Sequence, residues 1–295
     1  MRPGSLVEEI TRMLRAHGFK TMMEAAQGSC FNVVAKRDEK SLIIRAAREV
    51  EEVPREHISE LCAISNWIMA TPLLVAERSG GEELDDDAIY YKNGIYAVSP
   101  GALERTLEGD PPIVEVFPSG CFVYINGELV KKRREELGLS IGELARMVGV
   151  SRMTIYSYEK GCRRTTPGIA YRLEHVLGIP IVIPLDPLRK QDERRQAVPC
   201  DSMRPPRRGL LGLVARLLRK LKLMIMALFC APFEMMARHG DVKLVINVVQ
   251  KYDYDGAKIR SAKAFTEGME LGHLVVRPEE YECPEGVLSI AVGDL

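Results

Sequence analysis

Between Ser151 and Glu159 the chain reads Ser-Arg-Met-Thr-Ile-Tyr-Ser-Tyr-Glu. On a helix, Ile155 and Tyr158 share one face and leave Arg152, Met153, Tyr156 and Ser157 on the other. The outward set combines a planar fork of N–H donors, two side chains able to pack on a methyl group, and a hydroxyl. These groups suit base edges in a DNA major groove: an arginine pairs with guanine through two hydrogen bonds, and an apolar side chain covers a thymine methyl. No competing chemistry stands out. The sequence has no G-x-G-x-x-G, P-loop, G-x-S-x-G or H-E-x-x-H motif. The five histidines, His17, His57, His175, His239 and His273, are scattered over helix ends and loops. The seven cysteines form no C-x-x-C pair, which points to free thiols in a reducing cytoplasm rather than to zinc or disulfides. No cofactor or metal is expected.

The surrounding residues explain how such a face would be held. Ser140 caps a first short helix whose Ile141, Leu144, Ala145 and Val148 form an apolar stripe. Gly149 supplies the positive φ of a tight turn, and the small Ala145 lets a second helix, capped by Ser151, cross close by. Leu129 to Leu137 reads as a basic helix upstream. Downstream, Thr166-Pro167 opens a helix with Ile169, Leu173 and Leu177 inward. The Leu-Ser, Glu-Leu-Ala, Gly-Val-Ser, Thr-Ile and Tyr-Glu-x-Gly elements together resemble the Cro and lambda-repressor-like (Xre) helix-turn-helix family.

That resemblance implies a DNA-binding set of Ser151, Arg152, Met153, Thr154, Tyr156, Ser157, Arg163 and Arg164. The family often places a phosphate-contacting glutamine where this chain has Ile141, so phosphate grip is expected to shift to helix N-terminal amides, Thr154, Arg163 and Arg164. The resemblance also implies an Arg134–Glu159 ion pair and a homodimer reading a two-fold site in double-stranded DNA.

The 295 residues carry 41 Lys plus Arg against 41 Asp plus Glu, so overall charge does not indicate a polyanionic partner. The balance is local. Residues 126–178 hold ten Lys and Arg against six Glu, the excess that a DNA-facing surface needs. The most apolar run, Leu223 to Phe233, is too short to span a bilayer, and no signal peptide is visible, so a cytoplasmic protein is expected.

Outside the helix-turn-helix, the pattern helix, strand, turn, strand, helix, strand occurs twice. Phe31 to Ala35 and Ser41 to Ala46 read as a hairpin, Pro54 to Met69 as a helix, and Leu73 to Ala76 as a further strand. Cys30 to Lys36 matches Pro232 to Arg238 at an offset of 202, and so does Leu42 to Arg45 with Leu244 to Asn247. Leu74 to Arg78 matches Leu274 to Pro278 at an offset of 200. An internal duplication follows. The expected fold is a multi-domain α/β plus all-α chain: an α/β domain at 1–125, a four- to five-helix DNA-binding domain at 126–185, a Pro-rich charged linker at 186–208, and a second α/β domain at 209–295.

The element order of both α/β copies resembles the restriction-endonuclease-like fold, whose active members place an acid on the first hairpin strand and an acidic-x-Lys on the second to hold a divalent metal. Here those positions are Asn32, Ile43 and Arg45 in one copy and Glu234, Val245 and Asn247 in the other. Isoleucine and valine cannot ligate Mg²⁺, and neither Arg45 nor Asn247 reproduces the lysine. Both copies are expected to be inactive, and the chain not to be an enzyme. The whole arrangement resembles the archaeal HTH-type transcriptional regulators. A nuclease delivered by the helix-turn-helix, or an interaction or effector-sensing module, is the alternative.

Overall fold

A computed structural model describes residues 3–23, 28–189, 205–206, 208–249, 256–279, 283–284 and 287–294. The backbone divides into two compact units: residues 1–81, 93–95 and 188–295 in one, and 82–92 and 96–187 in the other. The expected boundaries at 125 and 185 are not where the units part. Residues 82–92 and 96–125 pack with the helix-turn-helix, and the two α/β copies share one unit. Most of the expected linker, 186–208, lies outside the described residues, but Leu188 is buried, and its carbonyl accepts a bond from the Thr71 hydroxyl at 3.4 Å.

The first copy runs α1 (Pro3–Ala16), β1 (Lys20–Met23), β2 (Val33–Arg37), β3 (Lys40–Glu49), α2 (Arg55–Ile68) and β4 (Thr71–Ser79). Strand β1 escaped the sequence reading because its four residues, Lys-Thr-Met-Met, show no clear alternation. Strands β1, β2 and β3 pair antiparallel, and β4 joins β3 in parallel after the α2 crossover. Leu42, Ile43, Ile44, Leu73, Leu74 and Val75 are consecutive apolar runs with no exposed surface, as strands covered on both faces require.

The other unit holds β5 (Glu82–Glu83), β6 (Ala88–Lys92), β7 (Ile95–Val98), α3 (Pro100–Glu108), β8 (Val114–Phe117) and β9 (Gly120–Ile125). The helical segment follows: α4 (Gly127–Glu136), α5 (Ile141–Val148), α6 (Arg152–Glu159), β10 (Arg164–Thr165), α7 (Pro167–Leu177) and β11 (Val182–Ile183). Strands β10 and β11 both pair antiparallel with β9, Thr165 opposite Val123 and Val182 opposite Ile125. These two-residue strands flank α7, so the sheet and the helices grow from one core, in which Val123 and Ile125 pack with Val130, Leu144, Ile155, Tyr158 and Leu173. That shared core moves residues 96–125 into the helical unit.

The chain returns to the first unit through α8 (Gly209–Lys220), β12 (Met224–Ala227), β13 (Met235–His239), β14 (Val242–Val248), α9 (Gly256–Met269), β15 (Gly272–Arg277) and β16 (Leu288–Ala291). Its pairing repeats that of the first copy. Val33 faces Ile44 in one hairpin and Met235 faces Ile246 in the other, 202 residues on in both strands. Ile44 then faces Leu73, and Ile246 faces Leu274, which sets the last offset at 201 rather than 200.

The copies also share an interior. Phe31, Phe233 and Phe265 form a ladder with centroids 5.5 Å (31 to 265) and 5.1 Å (233 to 265) apart. The buried Glu60 carboxylate accepts the Phe229 and Cys230 amides at 2.6 and 2.8 Å, and the Cys30 amide donates to the Cys230 carbonyl at 2.8 Å. Trp67 is half-exposed at the end of α2, with the Arg238 guanidinium 5.1 Å from its ring centroid. Among the described residues no helix is long and apolar enough to cross a membrane.

Candidate nucleic-acid interface

The helices α4, α5 and α6 of the 126–178 segment each start on a side-chain cap that the local sequence supplies. Asn126 caps α4 by accepting the Leu129 amide at 3.1 Å. Ser140 and Glu143 form a reciprocal capping box at the start of α5: the Ser140 hydroxyl accepts the Glu143 amide at 3.2 Å, and the Glu143 carboxylate accepts the Ser140 amide at 2.8 Å. These bonds hold the Glu143 carboxyl below its ordinary pKa, the Ser140 hydroxyl contributing most. Gly149 ends α5 at φ 74°, where a Cβ would be strained, and α6 starts three residues later at Arg152, capped by Ser151.

Ile155 and Tyr158 point inward, and the Tyr158 hydroxyl meets the Thr165 hydroxyl at 2.7 Å. Arg172 reaches from α7 to the last carbonyl of α5, Val148, at 2.7 Å.

The outward face follows. Arg152 is exposed, and so are Met153 (68 %) and Tyr156 (47 %), an exposure that lets the Tyr156 ring and the Met153 thioether meet a ligand. With Ser140, Ile141 and Gly142 they line an open groove of about 730 Å³. Gly142 matters here, since a Cβ on it would lie 2.7 Å from Arg152 Nε. Its absence lets the guanidinium rest against the first turn of α5.

Ser157 is half-buried on the flank of α6. Ser151 and Thr154 are engaged with each other: the Ser151 hydroxyl accepts the Thr154 amide at 3.0 Å and lies 2.8 Å from the Thr154 hydroxyl. Arg163 is exposed, its carbonyl taken by the Ile125 amide. The Arg164 guanidinium lies over Phe122 and Phe117, 3.6 and 4.5 Å from the ring centroids. The aromatic contact was not legible in the sequence, since the rings come from the β8–β9 hairpin some forty residues earlier in the chain.

Arg134 and Glu159 meet as expected. Nε lies 2.6 Å from Oε1 and Nη2 3.0 Å from Oε2, a two-pronged pair, while Nη1 donates to the Leu139 carbonyl at 2.8 Å.

In the α/β copies the positions of a nuclease metal site are also defined. Asn32 Oδ1 accepts the Ala46 amide at 2.8 Å, Ile43 has no exposed surface, and Arg45 Nη1 donates to the Ser29 carbonyl at 2.6 Å. In the second copy Glu234 Oε2 accepts the Val248 amide at 2.9 Å and Asn247 Nδ2 at 3.3 Å, and Oε1 pairs with Lys258 of α9. His273 Nε2 lies 2.8 Å from Asn247 Oδ1, and burial, with Lys263 nearby, holds its imidazole down to about 4, hence neutral at pH 7. Lys258 and His273 belong to this cluster although nothing in their local sequence marks them. The α9 crossover and the parallel β14–β15 pairing bring them to Glu234.

Comparison with known proteins agrees with this architecture. Residues 4–112 match the model of the PD-(D/E)XK superfamily domain, and residues 130–183 match a helix-turn-helix model. A protein of Pyrococcus horikoshii named "Putative HTH-type transcriptional regulatory protein" is 35 % identical over 254 residues, covering 85 % of this chain and 79 % of its own length. A namesake from Thermococcus gammatolerans is 32 % identical, covering 83 % and 76 %. One from Haloquadratum walsbyi is 33 % identical, covering 68 % and 62 %. With relatives at this identity over most of both chains, a PD-(D/E)XK superfamily domain and a helix-turn-helix, the chain belongs to the family of archaeal HTH-type transcriptional regulatory proteins.

Proposed function

We propose that this chain is a DNA-binding transcriptional regulator that reads the major groove of double-stranded DNA with α6. One observation carries the reading: a helix capped by Ser151 and anchored inward by Ile155 and Tyr158 leaves Arg152, Met153 and Tyr156 exposed together beside the N-terminus of α5. Arg152 would donate to a guanine and Met153 or Tyr156 cover a thymine methyl, with Ser151, Thr154 and Ser157 at the flank of the contact. Arg152→Ala should weaken specific binding by about 1–3 kcal/mol and relax preference at one base pair. Selection of binding sites from a random pool by wild-type and variant protein measures both, and an unchanged motif would remove Arg152 from the reading set.

Phosphate grip falls to the basic loop after α6. The rings of Phe122 and Phe117 hold the Arg164 guanidinium, and both Arg164 and its neighbour Arg163 are exposed. Replacing both by alanine should flatten the dependence of log K on log salt by about two. A fluorescence-anisotropy titration series in KCl reads the slope directly, and an unaltered slope would show that neither arginine touches the backbone. One α6 offers few reading side chains, so the working species is a homodimer on half-sites roughly 34 Å apart. Light scattering at the DNA-binding concentration tests this, a monomer being the contrary outcome.

The second copy, 209–295, is best read as another restriction-endonuclease-like domain, on the strength of its strand register. Asn32, Ile43 and Arg45 leave the first copy without a metal-binding acid. In the second copy the Glu234 carboxylate is engaged by Lys258 and two N–H groups. A non-catalytic role for both follows. The surviving acid and lysine of the second copy favour one rival, DNA cleavage. Incubating the protein with plasmid and Mg²⁺ decides between them, strand scission lost in Glu234→Gln being the result that would establish the rival.

A further inference from the structure

The two copies place polar side chains at matching positions but balance their charge differently. In the second copy Glu234 supplies a carboxylate to the Val248 amide, Asn247 Nδ2 and Lys258 Nζ. By strand register and helix position the corresponding residues of the first copy are Asn32 for Glu234, Ala46 for Val248, Arg45 for Asn247 and His57 for Lys258. The Ala46 amide donates to Asn32 Oδ1 as the Val248 amide does to Glu234, so the backbone half of the arrangement is kept. The negative charge and the second oxygen are gone.

What faces that spot in the first copy is cationic. Arg45 is half-buried and has no carboxylate partner among the described residues. Its Nη1 donates to the Ser29 carbonyl, and its Nε is buried without an acceptor. His57 Nδ1 is also buried without a partner. Burial and the positive charge of Arg45 both push the imidazole pKa below its ordinary value, while Glu56 opposes them weakly.

Among the described residues, the other titratable groups nearby do not neutralise Arg45. Glu60 is occupied by the Phe229 and Cys230 amides, and burial pushes the Cys230 thiol up to about 11 and the Cys30 thiol well above its ordinary value, so they carry no charge near pH 7. An unpaired cation removed from water is costly, and buried donors with no acceptor mark the place of a missing group.

We propose that the first copy binds an oxyanion of a small molecule, a carboxylate or phosphate group, between Arg45 and His57, at the place where the second copy holds its own Glu234 carboxylate. The planar arginine fork suits either group. Both side chains are only partly covered, so their outer ends can swing to admit the ligand. The inference does not depend on α6 reading DNA, and it gives the α/β unit a ligand site separate from the helix-turn-helix.

The test uses the full chain, titrated with inorganic phosphate and with acetate at constant ionic strength. The His57 imidazole is followed by NMR and the thermal midpoint in parallel. A bound anion favours imidazolium, so the His57 pKa should rise saturably with at least one of the two anions. A response to only one of them tells phosphate from carboxylate. Arg45→Gln should weaken binding at least tenfold. Asn32→Asp, which supplies the carboxylate from within and adds almost no volume, should abolish the response and raise the thermal midpoint of the anion-free protein. A His57 pKa that neither anion moves, or a response that Asn32→Asp leaves intact, overturns the proposal. Loss of DNA binding in the α6 variants bears on neither result.

Discussion

Replacing Glu159 by alanine should destabilise the helix-turn-helix unit by about 3–5 kcal/mol. The magnitude follows from burial rather than from the attraction itself. Side-chain exposure is 9 % for Arg134 and 6 % for Glu159, so the variant strands a guanidinium in a space that water barely reaches. Two of its donors lose the Glu159 acceptor; the bond to the Leu139 carbonyl survives, with a longer contact from Nη2 to the exposed Glu135 carboxylate at 3.3 Å. The pair ties α4 to α6, so the loss is felt where the reading helix is held.

Removing both charges together, as Arg134→Met with Glu159→Leu, should recover most of the stability, because a buried pair contributes little beyond a packed apolar replacement. Urea unfolding followed by hydrogen exchange at the α5 and α6 amides reads both variants. A loss below about 1 kcal/mol for Glu159→Ala, the range of exposed pairs, would show that the guanidinium finds water instead.

Phe265→Ala should cost about 3–5 kcal/mol and weaken the two α/β copies together. The ring lies on α9 of the second copy with Phe31 of the first on one side and Phe233 on the other. Its removal leaves a cavity that neither backbone can close alone. Trp67, the single tryptophan, reports from α2 of the first copy beneath Arg238 of the second. Its fluorescence should follow the same shifted denaturation midpoint as the far-ultraviolet signal of the whole unit. Two separated transitions would mean that the copies unfold independently.

The sequence by itself determined the parts of this protein that are encoded within a few residues. The caps Ser140 and Ser151, the turn glycine Gly149 and the inward pair Ile155 and Tyr158 are local devices, each fixed by neighbours three or four positions away. For that reason the four helices and the outward set on α6 were legible before any coordinates. The duplicated hairpins were legible too, because a strand buried on both faces leaves an apolar run that survives divergence.

Tertiary structure alone decided how the pieces are grouped. Strand β9 recruits β10 and β11 from either side of α7, drawing residues 96–125 into the helical unit. A two-residue strand carries no periodicity from which that pairing could be read. The aromatic ladder joins two copies separated by the entire helix-turn-helix, and Arg164 finds its rings on a hairpin far back in the chain. Arg45 and His57, or Lys258 and His273, acquire meaning only when a crossover helix and a parallel strand bring them to one place. Pairings of this kind rest on chain closure over long separations, where the energy lies in the contact and leaves no mark on the residues at either end.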